Sequence, residues 1–301
     1  MFARKRRTFS RTTVVDASAE QVWDVLRGWE AMYWLVTGSV LVVPVPDRPE
    51  GVGALTCCWQ LQSNGVLGAV VHEVVEFEPS RLIAFSERQR PDADSRLAFA
   101  VDDREDRTQV QITFSESMYR HEWGQRGPGV SERYLNRLAE GLECALADEV
   151  PGAHDVQTLV LQPNVPAPEA VHEIEIDAPA DYIWRLNEDE DGTLLAGPEL
   201  EKQWFAFQEG RQLQVQLVRR PDGGLGCAFQ LILRPEPHRV IIRARSLEVD
   251  QQLFPHENGA LLRATYRWDP RVMTAAAIAE SAQRWLAAVK AAAEGGARPT
   301  I

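Results

Sequence analysis

Glu116 is the least expected residue in this chain. From Val110 the sequence alternates with a period of two, so Val110, Ile112 and Phe114 share the face that a fold must cover. The same period carries Glu116 and Met118 onto that face unless a bulge intervenes. A carboxyl group among apolar side chains has its pKa pushed up, because burial disfavours the charged form, and a group so placed can act as general acid or base. The alternative is a carboxyl at the open end of the strand, solvated and inert. Directly after it, Tyr119, Arg120 and His121 open a loop that continues through Glu122, Trp123 and Gly124. Tyr119 and His121 join Glu116 as candidate catalytic residues able to enolise a ketone, and Arg120 is suited to orient a polar tail. A solvated loop accounts for the same three residues.

Candidate ligand contacts lie on two further stretches. Leu55, Cys57, Trp59 and Leu61 share one face of a strand, where Trp59 either stacks on a flat ligand or fills core. Trp29, Met32, Tyr33 and Trp34 form a short aromatic segment that either packs beneath a bridge between strands or gates a pocket. The ligand-binding set is therefore Trp59, Cys57, Phe114, Met118, Arg120, Tyr33 and Trp34. His72 alternates with Val70 and Val74 and reads as a satisfied interior or edge histidine.

No metal site is expected. Cys57, Cys58, Cys144 and Cys227 show no Cys-x-x-Cys spacing, and the acidic run Asn187 to Gly192 lacks the ligand spacing of a calcium loop. The cysteines read as small buried residues and fit a reducing, cytoplasmic compartment.

The elements that must position these residues occur twice. Asp16-Ala17-Ser18-Ala19-Glu20-Gln21-Val22-Trp23 is answered by Asp177-Ala178-Pro179-Ala180-Asp181-Tyr182-Ile183-Trp184. Glu78-Pro79-Ser80-Arg81 is answered by Glu236-Pro237-His238-Arg239, Thr113-Phe114 by Thr265-Tyr266, and Arg133-Tyr134-Leu135 by Arg284-Trp285-Leu286. The order of marks is kept while the spacing shrinks, which indicates two related domains with shorter loops in the second. In the first copy the pattern predicts a strand over Thr8 to Val15 and a helix over Ala19 to Leu26. A second short helix, six strands in a meander and a long helix over Ser131 to Val150, capped by Ser131, follow. Residues 1–150 form the first domain, the Pro-rich stretch 151–169 a stiff linker, and 170–301 the second domain. In the second copy Leu213, Val215 and Leu217 alternate with glutamines and almost nothing titratable points inward. With its Ala-rich final helix it reads as a filled scaffold or an interface.

A net charge of -12 argues against a general nucleic-acid surface, and no run approaches the length of a membrane span. Arg4-Lys5-Arg6-Arg7 is not followed by the apolar segment that a secretion signal needs. Oligomeric state is not legible.

Strand, two short helices, six strands and a terminal helix, with Ala19, Val22 and Trp23 at the front and Glu78-Pro79-Ser80-Arg81-Leu82 between middle strands, resemble the START/SRPBCC superfamily, specifically its polyketide cyclase/dehydrase branch. The resemblance implies an α+β class: tandem helix-grip domains, each a curved seven-stranded antiparallel sheet around a long C-terminal helix with two short helices after strand one. It implies a hydrophobic or aromatic small-molecule partner, polyketide- or lipid-like, in the first domain. If there is catalysis, it implies cyclisation and dehydration with no metal or nucleotide cofactor. A carrier or sensor that leaves its ligand unchanged, or a protein-interaction module, are the alternatives.

Overall fold

Ser18 stops the first strand and starts the first helix. Its hydroxyl accepts the Gln21 backbone N–H at 3.2 Å while the Gln21 side chain accepts the Ser18 N–H at 2.9 Å, a reciprocal cap. Val22, Trp23 and Leu26 then fall on one buried stripe. The computed structural model describes residues 4–36, 38–61, 67–89, 94–104, 107–118, 129–149, 167–188, 200–208, 210–244 and 246–295.

The first half contains β1 (Lys5–Val15), α1 (Ala19–Arg27), a 3-10 turn (Trp29–Ala31), α2 (Met32–Leu35), β2 (Ser39–Pro44), β3 (Leu55–Leu61), β4 (Leu67–Glu78), β5 (Leu82–Glu87), β6 (Arg96–Arg104), β7 (Arg107–Met118) and α3 (Val130–Leu146). The strands form one antiparallel sheet in the order β1-β7-β6-β5-β4-β3-β2. Because β1 and β2 lie at opposite edges, α1 and α2 must cross the sheet between them. They share its concave face with α3, which buries Leu135, Leu138, Ala139 and Leu142. The expected cap at Ser131 is displaced: Gly129, at φ 74°, occupies that position, and Ser131 lies inside the first turn. A glycine takes this left-handed conformation at no steric cost.

The second half repeats the plan with β8 (Glu169–Ile176), α4 (Ala180–Glu188), β9 (Leu200–Gln208), β10 (Arg211–Arg219), β11 (Leu225–Glu236), β12 (Arg239–Ala244), β13 (Leu247–His256), β14 (Gly259–Trp268) and α5 (Ala275–Gly295). Its order is β8-β14-β13-β12-β11-β10-β9. The duplication extends to local backbone: Ser80 and His238, at matching turns, both adopt positive φ, 60° and 58°. The chain is an α+β protein of two helix-grip-like sheets. It divides into two compact units, Met1–His154 with Arg220–Cys227, and Asp155–Arg219 with Ala228–Ile301. The stretch 151–166, most of the expected linker, lies outside the described residues, as do 189–199, where a second short helix was expected in the repeat.

Candidate ligand cavity in the first unit

Sheet pairing decides which side chains meet beneath α3. On β7, Val110 and Ile112 are fully buried and Phe114 and Glu116 continue their face, so the carboxyl of Glu116, 8 % exposed, is carried inward as the alternation predicts. Next to β7, β6 supplies Leu97, opposite Phe114; β5 supplies Phe85, opposite Leu97. On β4 the register slips between Val74 and Glu76, and this bulge lets Val74 and Phe77 join the same core while Glu76 turns away to Arg96. Between this face and the helices lies a cavity of about 330 Å³. Met32, Leu35, Val36, Val70, Phe85, Leu97, Phe114 and Val130 form its apolar wall, and Gln60, His72, Glu87, Ser95, Glu116, Ser131 and Tyr134 its polar lining.

The polar groups are ordered. His72 and Glu87 are register partners across β4 and β5. The Glu87 backbone N–H donates to Ser95 Oγ at 3.3 Å, and Ser95 immediately precedes β6, whose neighbour is β7 with Glu116. One rung of polar side chains therefore crosses the floor. Tyr134 reaches down on it from α3, its ring edge-on to Phe114 with centroids 5.1 Å apart. Burial, above all, pushes the Tyr134 phenol up; Arg137 opposes the shift, and the carboxyls of Glu116 and Glu87 add to it. Tyr134 is thus a proton-bearing donor at neutral pH. Arg137, with its guanidinium 5.2 Å from the Tyr134 ring, donates to the carbonyls of Trp34 at 2.7 Å and Leu35 at 2.9 Å, tying α2 to α3.

Phe114 and Glu116 line the cavity; several other expected contacts do not. Trp34 is buried edge-on against Phe99, centroids 5.8 Å apart, and its ring so closely covers Gly141 that a Cβ there would meet Trp34 Cε3 at 3.1 Å. Tyr33 is half-buried beside Trp29, its phenol pushed up by burial and steadied by the Val42 backbone. The β3 face is corrected. Thr56 stands opposite His72 and Cys58 opposite Val70, so Thr56, Cys58 and Gln60 face inward, and Cys57 and Trp59 point to the other side of the sheet. Both faces of β3 are buried, so polarity does not distinguish them. The Met118 side chain and Tyr119, Arg120 and His121 lie outside the described residues.

His72 is the residue whose role the sequence hides. Its ring is closely surrounded, what surface it keeps faces the cavity, and its Nε2 is enclosed without a hydrogen-bond partner. Burial holds the imidazole down at about 4. The unfolded chain binds this proton from the ordinary value of 6.5 downward and the folded chain does not, so stability falls as pH drops from 6.5 towards 4. At 1.36 kcal/mol per unit this amounts to roughly 3 kcal/mol. Urea unfolding at pH 7 and pH 4.5 should show His72→Gln losing about 2–3 kcal/mol less than wild type; equal losses would mean that His72 is protonated in the fold.

The second unit differs at the same positions. Tyr266 and Trp285 answer Phe114 and Tyr134 in the repeat, and the position answering Glu116 is Trp268. The pairing of Val15 with Thr108 and of Ile176 with Ala260 keeps that correspondence in register. Trp268 and Trp285 are 5 % and 7 % exposed and belong to the core beneath α5. Carboxyl and phenol are replaced by two indoles.

The family described as polyketide cyclase / dehydrase and lipid transport matches residues 6–147. That match lies within the first half of the chain. No curated protein matched the sequence. Among solved structures, the di-domain ARO/CYC BexL from the BE-7585A biosynthetic pathway is 16 % identical, with 97 % of this chain and 100 % of that chain covered and a TM-score of 0.35. The di-domain ARO/CYC StfQ from the steffimycin pathway is 14 % identical, with 96 % and 99 % covered and a TM-score of 0.36. Norcoclaurine synthase from Thalictrum flavum, in complex with dopamine and hydroxybenzaldehyde, is 11 % identical over 48 % of this chain and 89 % of its own, with a TM-score of 0.39. Among the described residues no helix is long and apolar enough to cross a membrane, and no group of three or more His, Cys, Asp or Glu is placed to hold a metal ion.

Proposed function

We propose that the first unit binds a hydrophobic or aromatic small molecule, polyketide- or lipid-like, and that Glu116 and Tyr134 move protons on it in a cyclisation or dehydration. The observation that carries this reading is the cavity of about 330 Å³ whose apolar wall faces a polar floor bearing the carboxyls of Glu87 and Glu116 and the phenol of Tyr134. Its size is at the lower end of the roughly 300–1,000 Å³ typical of small-molecule sites. In such a reaction the Glu116 carboxylate takes a proton from a carbon between two carbonyls, and the Tyr134 hydroxyl donates a hydrogen bond to the enolate oxygen. The enolate carbon then bonds to a second carbonyl carbon, whose oxygen takes back the proton from Glu116; the carboxylate next removes the remaining proton of the same carbon and returns it to the departing hydroxyl, which leaves as water. The match of residues 6–147 to the family described as polyketide cyclase / dehydrase and lipid transport supports the ligand class. The second unit, with Trp268 and Trp285 in its core, serves as scaffold.

A carrier that leaves its guest unchanged uses the same apolar wall and needs no proton transfer. Both readings require a guest. The neutral fluorescent probe N-phenyl-1-naphthylamine should bind wild-type protein and not Val70→Trp, which fills the cavity, and solvent extraction followed by mass spectrometry should release an apolar compound. Probe binding that survives Val70→Trp would remove the cavity from the reading.

A further inference from the structure

The cavity has polar groups at two ends, and the proposed chemistry uses only one of them. Glu116 lies on β7, and Tyr134, edge-on to Phe114 of the same strand, stands at that end. His72 lines the cavity from β4, and the strand order puts three strand spacings of about 4.8 Å between β4 and β7. Both residues belong to the polar rung, so that span runs directly across the floor. Among the described residues Nε2 of His72 has no hydrogen-bond partner although it is enclosed, a condition that buried polar atoms rarely sustain unless something else meets them. We propose that His72 is a specificity-determining residue that hydrogen-bonds an uncharged hydroxyl or carbonyl of the guest at the end remote from Glu116 and Tyr134. The inference rests on the reading of the cavity as a binding site and narrows its guest to a molecule oxygenated at both ends, as against a lipid chain with a single polar head.

An unpaired nitrogen leaves the ring free to answer a guest. A half-turn about Cβ–Cγ exchanges Nε2 with Cε1 and Nδ1 with Cδ2 in nearly the same space, and it breaks no hydrogen bond of Nε2 among the described residues. Whichever ring edge meets the cavity, one of the two orientations therefore brings a nitrogen to it. The imidazole, held at about 4 by burial, is neutral at pH 7 and carries one N–H and one bare nitrogen. It donates to a ketone through the first and accepts from a phenol through the second. Both are needed in the proposed cyclisation, which consumes ketones and leaves ring hydroxyls. Val70 and Phe85 provide apolar wall beside His72, and a hydrogen bond made in such surroundings is stronger than in water. A guest with one oxygen, placed at the Tyr134 end, leaves Nε2 enclosed and unpaired, a cost that a second oxygen removes.

Displacement of N-phenyl-1-naphthylamine from the full chain at pH 7 compares naphthalene, 2-naphthol and two diols of identical composition. In 2,6-dihydroxynaphthalene the oxygens sit at opposite ends of the fused rings, and with a hydrogen bond of about 2.8 Å at each they come close to the span between β4 and β7. In 2,3-dihydroxynaphthalene they are adjacent and reach one end only. We expect the 2,6-diol to bind at least tenfold more tightly than the 2,3-diol. His72→Phe should weaken the 2,6-diol about tenfold while leaving naphthalene and 2-naphthol within about threefold, and His72→Gln should restore most of the loss. In protein carrying nitrogen-15 histidine, the 2,6-diol should shift an imidazole signal that His72→Gln lacks. Equal affinity of wild type for the two diols overturns the role of His72 while leaving the cavity as a binding site, and this comparison needs no variant to fold. A preference that survives His72→Phe, or a His72 signal that does not move, overturns it as well. A probe that does not bind the cavity at all overturns both this inference and the reading beneath it.

Discussion

Glu116→Gln lowers turnover of a short poly-β-ketone by at least about 100-fold and leaves the affinity for N-phenyl-1-naphthylamine within about threefold of wild type. Glutamine keeps the shape of the side chain and its ability to hydrogen-bond, so the walls around it, Phe114 and Tyr134 among them, have no reason to move. It loses the proton-accepting oxygen, and positioned acid–base groups are worth on the order of 10²–10⁴ in rate. Tyr134→Phe should reduce the rate as well, by removing the donor for the enolate oxygen. Burial raises the Tyr134 phenol above its ordinary value of 10.0, so the alkaline limb of the wild-type pH–rate profile from this group lies above pH 10. Rate and affinity are to be measured on the same preparations. A Glu116→Gln protein with undiminished turnover ends the acid–base role, and a wild type that binds guests but never converts them leaves the carrier.

Phe99→Ala should cost the first unit about 3–5 kcal/mol, the range for removing a buried aromatic side chain. Phe99 has no exposed surface, stands between Ile83 and Ile112 across three strands, and receives the edge of Trp34. Trp34 in turn rests on Gly141 of α3, so the ring lost at position 99 supports both the sheet and the seating of α2 against the long helix. Urea unfolding followed by tryptophan fluorescence is the measurement, with the first unit's transition read separately because a two-unit chain need not unfold in one step. A midpoint unchanged from wild type would show that the core closes over the gap without loss.

Much of the architecture is written in local periodicity. The alternation Val110, Ile112, Phe114 offers an inward Glu116 beside a solvated one at the strand's end, and the sheet places the carboxyl on the cavity side. The stripe from Leu135 to Leu142 predicts the buried face of α3. These readings succeed because each element has one wet face and one dry face, so polarity reports orientation directly. Glu87 and His72 carry the same signal as Glu116, since Ile83, Phe85 and Glu87 alternate on β5 and Val70 and His72 on β4. The carboxylate of Glu116 stood out because it followed three apolar residues at the end of a long strand; the other two sat in shorter or bulged runs.

β3 shows where that signal vanishes. Leu55, Thr56, Cys57, Cys58 and Trp59 are each no more than 9 % exposed, so both faces of the strand are dry and no alternation marks the cavity side. Only the pairing of Thr56 with His72 and of Cys58 with Val70 determines that Trp59 turns away. Tyr134 is a similar case on a helix: its place in an apolar stripe is plain, while its position above Glu116 depends on how α3 docks. The sequence by itself therefore determined the duplicated α+β plan and the order of its elements, properties of residues close in the chain, and it left Glu116 open between an inward and a solvated carboxyl. Tertiary structure alone decided that His72, Glu87, Glu116 and Tyr134 share one cavity and that Cys57, Trp59 and Trp34 do not line it. Those relations hold between strands and a helix far apart in sequence, and register and docking set them.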